Sequence, residues 1–154
     1  MFLICPLVRE YASFLFILGG VNFKKRTVSE RLIEVNVSTS YVSKQRNIPV
    51  PKFAHGATIC GSELVITSGI SDLMIDMGMR CVPMGDTDCY SYDVFEKTWR
   101  RLPDVPIGKL HPTLVTVNSR FVYQIGGFDD YNFEIYRLDM KSLNRPWRVL
   151  GLRR

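Results

Sequence analysis

Few side chains in this chain of 154 residues are equipped for chemistry: His55 and His111, the cysteines at 5, 60, 81 and 89, and the acidic pair Asp129-Asp130. A zinc site needs thiolates or imidazoles at CxxC or HxxxH spacing, and neither occurs here. GxSxG, a Walker loop, a dinucleotide fingerprint and HExxH are also missing, so no nucleophile, phosphate cradle or metalloprotease helix is encoded. Either histidine could serve as a general base. Each, however, closes a Pro-containing segment (49–55 and 103–111) and opens an apolar run, so both read as one repeated structural position. Asp129-Asp130 directly follows Gly126-Gly127-Phe128 and reads as solvated turn chemistry, not a cation site. The expectation is no catalytic, metal or cofactor-binding residue and no enzyme.

Composition points the same way. With 46% hydrophobic and 23% charged residues the chain is an ordinary folded protein, and its length suits one domain. The net charge of +5 is patchy: residues 24–52 hold seven bases and two acids, and 145–154 hold four Arg and no acid. No aromatic-interleaved RNA motif or recognition helix accompanies these bases, so nucleic acid is an unlikely partner. The cysteines do not form a disulfide framework, and Cys5 and Cys60 sit in apolar runs, as expected of a reduced, cytoplasmic protein. The N-terminal stretch lacks a basic leader and a small-residue cleavage site, and no run reaches membrane-spanning length.

The elements that would position any site are short. Apolar runs rich in Val, Ile, Phe and Tyr alternate with Gly, Asn, Ser, Asp and Pro, which predicts strands and turns throughout. Laid under one another they repeat. The runs 14–18, 64–68 and 121–125 end at Gly19-Gly20, Gly69-Ile70 and Gly126-Gly127, and the first Gly recurs after 50 and then 57 residues. A second strand follows each, closing near Asn36, Asp93 and Asp139, and a turn then leads to Trp99 and Trp147; in the first repeat Gln45 takes the Trp place. The strands opened by the histidines, 57–60 and 113–117, join the glycine strands through tight polar turns. Each unit is therefore four antiparallel strands, with 2–7 as the first strand of the first unit.

This pattern resembles the kelch repeat, the blade of a class of β-propellers. The residues that carry the resemblance are Gly19-Gly20, Gly126-Gly127, Tyr92-Asp93 with Trp99, and the basic-x-x-His linker from Lys52 to His55. It implies an all-β, kelch-type propeller segment over 1–154. Its four-stranded antiparallel blades would lie at about 2–50, 54–104 and 112–151, making a partial ring completed by further blades or by homodimerisation. Gly19, Gly20, Gly69, Gly126, Gly127, Asp93, Trp99, Trp147, His55 and His111 would be its structural motif. Glycine at the strand ends permits positive φ and close backbone approach, and the Trp can bury its ring between blades.

The resemblance also implies a non-catalytic scaffold or adaptor that binds a protein partner. The enzyme alternative is a propeller acting on a carbohydrate, as an oxidase or sugar isomerase. One feature is not repeated: the Gly-to-Trp distance is 30 residues in the second unit and 21 in the third, which locates an insertion of about nine residues within 70–87. It holds Met74, Met77, Met79 and Met84, soft side chains suited to adaptable contacts. With Lys24, Lys25 and Arg26 of the corresponding loop in the first unit, these are the expected partner-binding residues.

Overall fold

The computed structural model describes residues 3–9, 12–71, 85–128 and 134–151, and every regular element among them is a strand. In the first sheet β1 (Leu3–Arg9), β2 (Ala12–Leu18), β5 (Leu32–Asn36) and β6 (Tyr41–Lys44) pair in that order, all antiparallel. A small hairpin, β3 (Val21–Asn22) and β4 (Thr27–Val28), fills its loop between second and third strands. The second sheet repeats the order with β7 (Gly56–Cys60), β8 (Glu63–Thr67), β9 (Cys89–Asp93) and β10 (Thr98–Leu102). The third has β11 (Thr113–Val117), β12 (Phe121–Ile125), β13 (Ile135–Asp139) and β14 (Arg148–Leu150). The fold is all-β, with three sheets of one connectivity in a row and no closure onto themselves among the described residues.

Alternation along the strands decides how the sheets stack, because residues two apart share a face. Leu64, Ile66, Tyr90 and Tyr92 of the second sheet pack with Phe16, Leu18 and Leu32 of the first. The opposite face carries Val65 and Cys89, which pack with Leu114, Val122, Tyr136 and Leu138 of the third. The middle sheet is thus apolar on both faces, and Leu64, Val65, Ile66, Cys89 and Tyr92 are buried. The first strands of neighbouring sheets touch as well: β1 and β11 both contact β7, and the Thr58 and Thr116 hydroxyls meet at 3.1 Å.

The same clasps recur at both junctions. Trp99 Nε1 donates to the Arg46 carbonyl at 3.0 Å, and Trp147 Nε1 donates to the Pro103 carbonyl at 2.9 Å. The two carbonyls occupy equivalent places, five residues after Tyr41 and Thr98, which open the fourth strands opposite Asn36 and Asp93. The Gly20 N–H donates to the Lys52 carbonyl, and the Gly69 N–H to the Lys109 carbonyl. Asn36 and Asp93 form equivalent turns, each side-chain oxygen accepting from the backbone N–H groups two and three residues on. Asp139 does the same toward the Lys141 N–H.

Register corrects three sequence equivalences. Strand β8 ends at Thr67, so the glycine pair of the second unit is Ser68-Gly69, not Gly69-Ile70; Ser68 adopts φ 63°, beside 63° at Gly19 and 62° at Gly126. In the first unit the Trp position belongs to Val42, which pairs with Val35 as Trp99 pairs with Tyr92. Gln45 lies past the strand and instead accepts from the Tyr92 hydroxyl at 3.1 Å. His55 and His111 are not equivalent either. The isolated bridges Phe53 to Ile70 and Leu110 to Phe128 align Lys52 with Lys109 and Ala54 with His111, and both members of the latter pair have positive φ.

Glycine is required for different reasons along these pairs. A Cβ on Gly69 would stand 2.6 Å from the Phe53 carbonyl oxygen, and one on Gly19 only 2.2 Å from the Lys52 oxygen. At Gly126 nothing lies within 4 Å, so positive φ alone selects glycine there, and the crowding expected at that strand end is absent.

Candidate binding face

The loops between second and third strands lie at the end of the sheets where the glycine pairs turn. In the first sheet this loop is the β3 to β4 hairpin, held by the Asn22 side-chain oxygen, which accepts from the Lys25 N–H at 3.1 Å. Arg26 adopts φ 50°, turning the tip, and Lys24, Lys25 and Arg26 are all exposed. The hairpin borders an open groove of about 830 Å³ whose lining includes Lys24, Lys25, Arg31 and Lys44 against one carboxylate, Glu30. Glu30 accepts from the neutral Asn47 amide at 2.6 Å, so its charge is not cancelled and the lining carries four bases and one acid. Phe23 projects beside them, 69% exposed.

Arg31 closes the basic loop 24–31 expected to bind a partner, and Lys44, from the end of β6, is the one lining base outside that loop. It reaches the groove because Ile33 pairs with Lys44. Of the second unit's corresponding loop, residues 70–71 and 85–88 are described, and Met74, Met77, Met79 and Met84 lie outside the described residues, as does Asp129-Asp130.

Beneath these loops sits a buried ionic cluster. Lys52 is fully buried, with Nζ 3.0 Å from an Asp86 oxygen and 2.5 Å from an Asp88 oxygen. Its repeat partner Lys109 is equally buried; Nζ donates to the Glu134 carbonyl at 3.4 Å and lies 5.6 Å from the Tyr136 ring centre. Asp88 and Glu134 each immediately precede a third strand, so the lysines turn toward the same place in successive units. The 57-residue spacing of Lys52 and Lys109 was the available sequence signal.

Beside this cluster His55 is buried, and neither imidazole nitrogen has a hydrogen-bond partner among the described residues. Burial, reinforced by the Lys52 charge, lowers its pKa to about 4, so it is neutral near pH 7. His111 is exposed, and its backbone N–H donates to the Ala54 carbonyl at 2.7 Å, next to the buried His55. The cysteine thiols of the described core, Cys60 and Cys89, are free and buried; burial raises both pKa values, Cys89 to about 12, which removes the thiolate needed for nucleophilic attack.

No protein-family profile matches the chain. It is similar to tRNA wybutosine-synthesizing protein 4 of Candida albicans, with 25% identity over 127 residues. The match covers 80% of this chain and 16% of that protein, so the chain spans about a sixth of the relative's length. The relative is named for a synthesis, and this corrects the expectation that the chain has no place among enzymes. That expectation rested on missing catalytic motifs, and such motifs do not register a similarity to one stretch of a longer protein.

Proposed function

We propose that the chain is three consecutive kelch-type propeller blades of a longer protein, and that it binds a protein partner through the loops joining second and third strands. The observation that carries the architecture is the repetition of one junction: the same Trp-to-carbonyl bond and the same Gly-to-Lys backbone bond link the first sheet to the second and the second to the third. A unit that bonds identically to its neighbour on each side is built to continue. The outward faces agree. Leu15, Ile17, Ile33 and Val35 on the first sheet stand in register with Leu64, Ile66, Tyr90 and Tyr92, while Val115, Tyr123 and Ile135 on the third stand in register with Thr58, Val65 and Cys89. Each exposed face therefore has the form of a face that another sheet covers in the middle unit.

The basic hairpin and groove are the binding feature of this reading. Placing a photo-crosslinking residue at Lys25, in the whole protein, should capture one partner, while the same residue at Thr39, in the turn at the opposite end of the first sheet, should not. Loss of capture from position 25 when Lys24→Glu/Arg26→Glu is added supports the reading; equal capture from both positions overturns it.

A second reading has one observation behind it. The similarity to a tRNA wybutosine-synthesizing protein supports a place in an enzyme that modifies tRNA, with the basic groove facing the nucleic acid. In that case the Lys25 crosslink would join RNA instead of protein.

A further inference from the structure

At the opposite ends of the second and third sheets, the turns between first and second strands and between third and fourth strands frame a small cleft. Register makes the clefts of the second and third units equivalent: Glu63 corresponds to Phe121, Asp93 to Asp139 and Arg100 to Arg148. Their chemistry is opposite. The second unit's cleft is lined by Glu63, Asp93, Glu96, Thr98 and Arg100, three acids and one base. The third unit's cleft, about 240 Å³, is lined by four arginines, 120, 137, 145 and 148, against the single carboxylate of Asp139. A repeated position whose charge reverses between repeats is not set by the architecture.

The acidic cleft also shows what its arginine takes. Arg100 holds the Glu63 carboxylate by Nε at 3.2 Å and by NH2 at 2.5 and 2.6 Å. In the third unit the arginine remains, as Arg148, but Phe121 replaces the glutamate. Phe121 lies 4.7 Å from the Arg120 guanidinium and 4.9 Å from that of Arg137, so the ring holds two guanidiniums around the vacated carboxylate position. Arg120 is already committed to Asp139, at 2.9 and 2.6 Å. Among the described residues no carboxylate is within ion-pair distance of Arg137, Arg145 or Arg148, and the Arg137 charge acts on Asp139 only from farther off. The equivalent cleft stays partly open although another sheet packs beside it, with the Arg100 side chain 48% exposed. Coverage of the third sheet by a further blade would leave this one open too.

We infer that the cleft formed by Arg137, Arg145 and Arg148 is a second binding site, which takes a glutamate or aspartate carboxylate from an acidic segment of a partner protein. The geometry favours a carboxylate because the molecule fills the same position with one in the preceding unit. The Arg120 and Arg137 guanidiniums both stand over the Phe121 ring, where they compete with a nucleobase for stacking.

The test measures fluorescence anisotropy of a labelled hexaglutamate peptide and a labelled uridine hexanucleotide against the whole chain. The peptide is expected to bind the wild type more tightly than the oligonucleotide, and Arg137→Gln/Arg148→Gln to weaken peptide binding about ten- to a hundredfold. Phe121→Glu restores the carboxylate of the preceding unit and is expected to abolish peptide binding while circular dichroism and melting stay native. The control Arg101→Gln should bind as the wild type does. No peptide binding by the wild type, preference for the oligonucleotide, or unchanged binding in a folded Phe121→Glu would each overturn the proposal. So would peptide binding that Lys24→Glu/Lys25→Glu removes and Phe121→Glu does not, which would transfer the acidic segment to the hairpin groove.

Discussion

Replacing Trp147 by Ala tests the clasp between the second and third sheets. The side chain is only 4% exposed and packs in a cluster with Leu102, Val105, Val122 and Leu138. A buried Trp removes about 200 Å² from water, which at about 25 cal/mol per Å² is about 5 kcal/mol, the upper end of the usual 3 to 5 for Trp→Ala in a core. The substitution also strips the Pro103 carbonyl of its donor, about 1 kcal/mol more where water cannot replace it. Partial collapse of the cavity offsets some of this, so we expect a loss of about 4 kcal/mol. For a chain of this size that is about 8 to 16 °C in Tm. Thermal and urea unfolding, followed by circular dichroism, should show this shift for Trp147→Ala and about a third of it for Trp147→Phe, which keeps most of the area and drops the N–H. Arg101→Ala is the reference: Arg101 is exposed and among the described residues its ion pair is with Asp104 three residues away, so its loss should leave Tm essentially unchanged. Equal shifts for Trp147→Ala and Arg101→Ala would refute the inter-sheet role of the Trp.

Three further outcomes follow from the same structure. Lys52→Met should cost about 3 kcal/mol, the low end for breaking a buried pair because Asp86 and Asp88 retain some solvent contact, and urea titration reads it directly. His55 has its folded pKa depressed to about 4 from 6.5, so the unfolded chain binds the proton first. Its contribution is therefore complete above pH 6.5 and lost as pH falls toward 4, about 3 kcal/mol in all, and His55→Leu should flatten that part of the stability profile. Gly69→Ala should destabilise more than Gly126→Ala, since both have positive φ but only the first drives a Cβ into a backbone carbonyl; comparable melting temperatures would contradict the crowding.

The sequence carried the strands well because their signal is local. Val, Ile and Tyr runs bounded by Gly, Asn and Pro located β2, β5, β7 to β9 and β11 to β13 to within one or two residues. Equivalence between repeats was less legible, since it is fixed by pairing. Ser68 stands where a glycine was expected because the run read from composition extends one residue past Thr67, the last paired residue of β8, and a one-residue slip reverses the face on which a side chain lies. The same slip made His55 and His111 look alike when the repeated residues are Lys52 and Lys109. Lys52 was legible only as the first residue of the basic linker, because burying an ammonium depends on carboxylates and carbonyls from another part of the chain. The basic loop was visible from Lys24 to Arg31, while its groove was not, since Lys44 joins it only through strand pairing. The arginine cleft was visible only as an acid-free tail; Arg120 and Arg137 reach it across the sheet.

The central claim, that these are consecutive blades whose outward faces are built to be covered, is tested most directly by light scattering on the isolated chain with a hydrophobic dye present. Leu15, Ile17, Ile33 and Val35 on one outer face, and Val115, Val117 and Ile125 on the other, are expected to drive association to at least twice 17.7 kDa, or to bind dye if the chain stays monomeric. If the chain belongs to a longer propeller, as proposed, adding its neighbouring blades should abolish both. A stable monomer of 17.7 kDa that binds no dye would contradict the account.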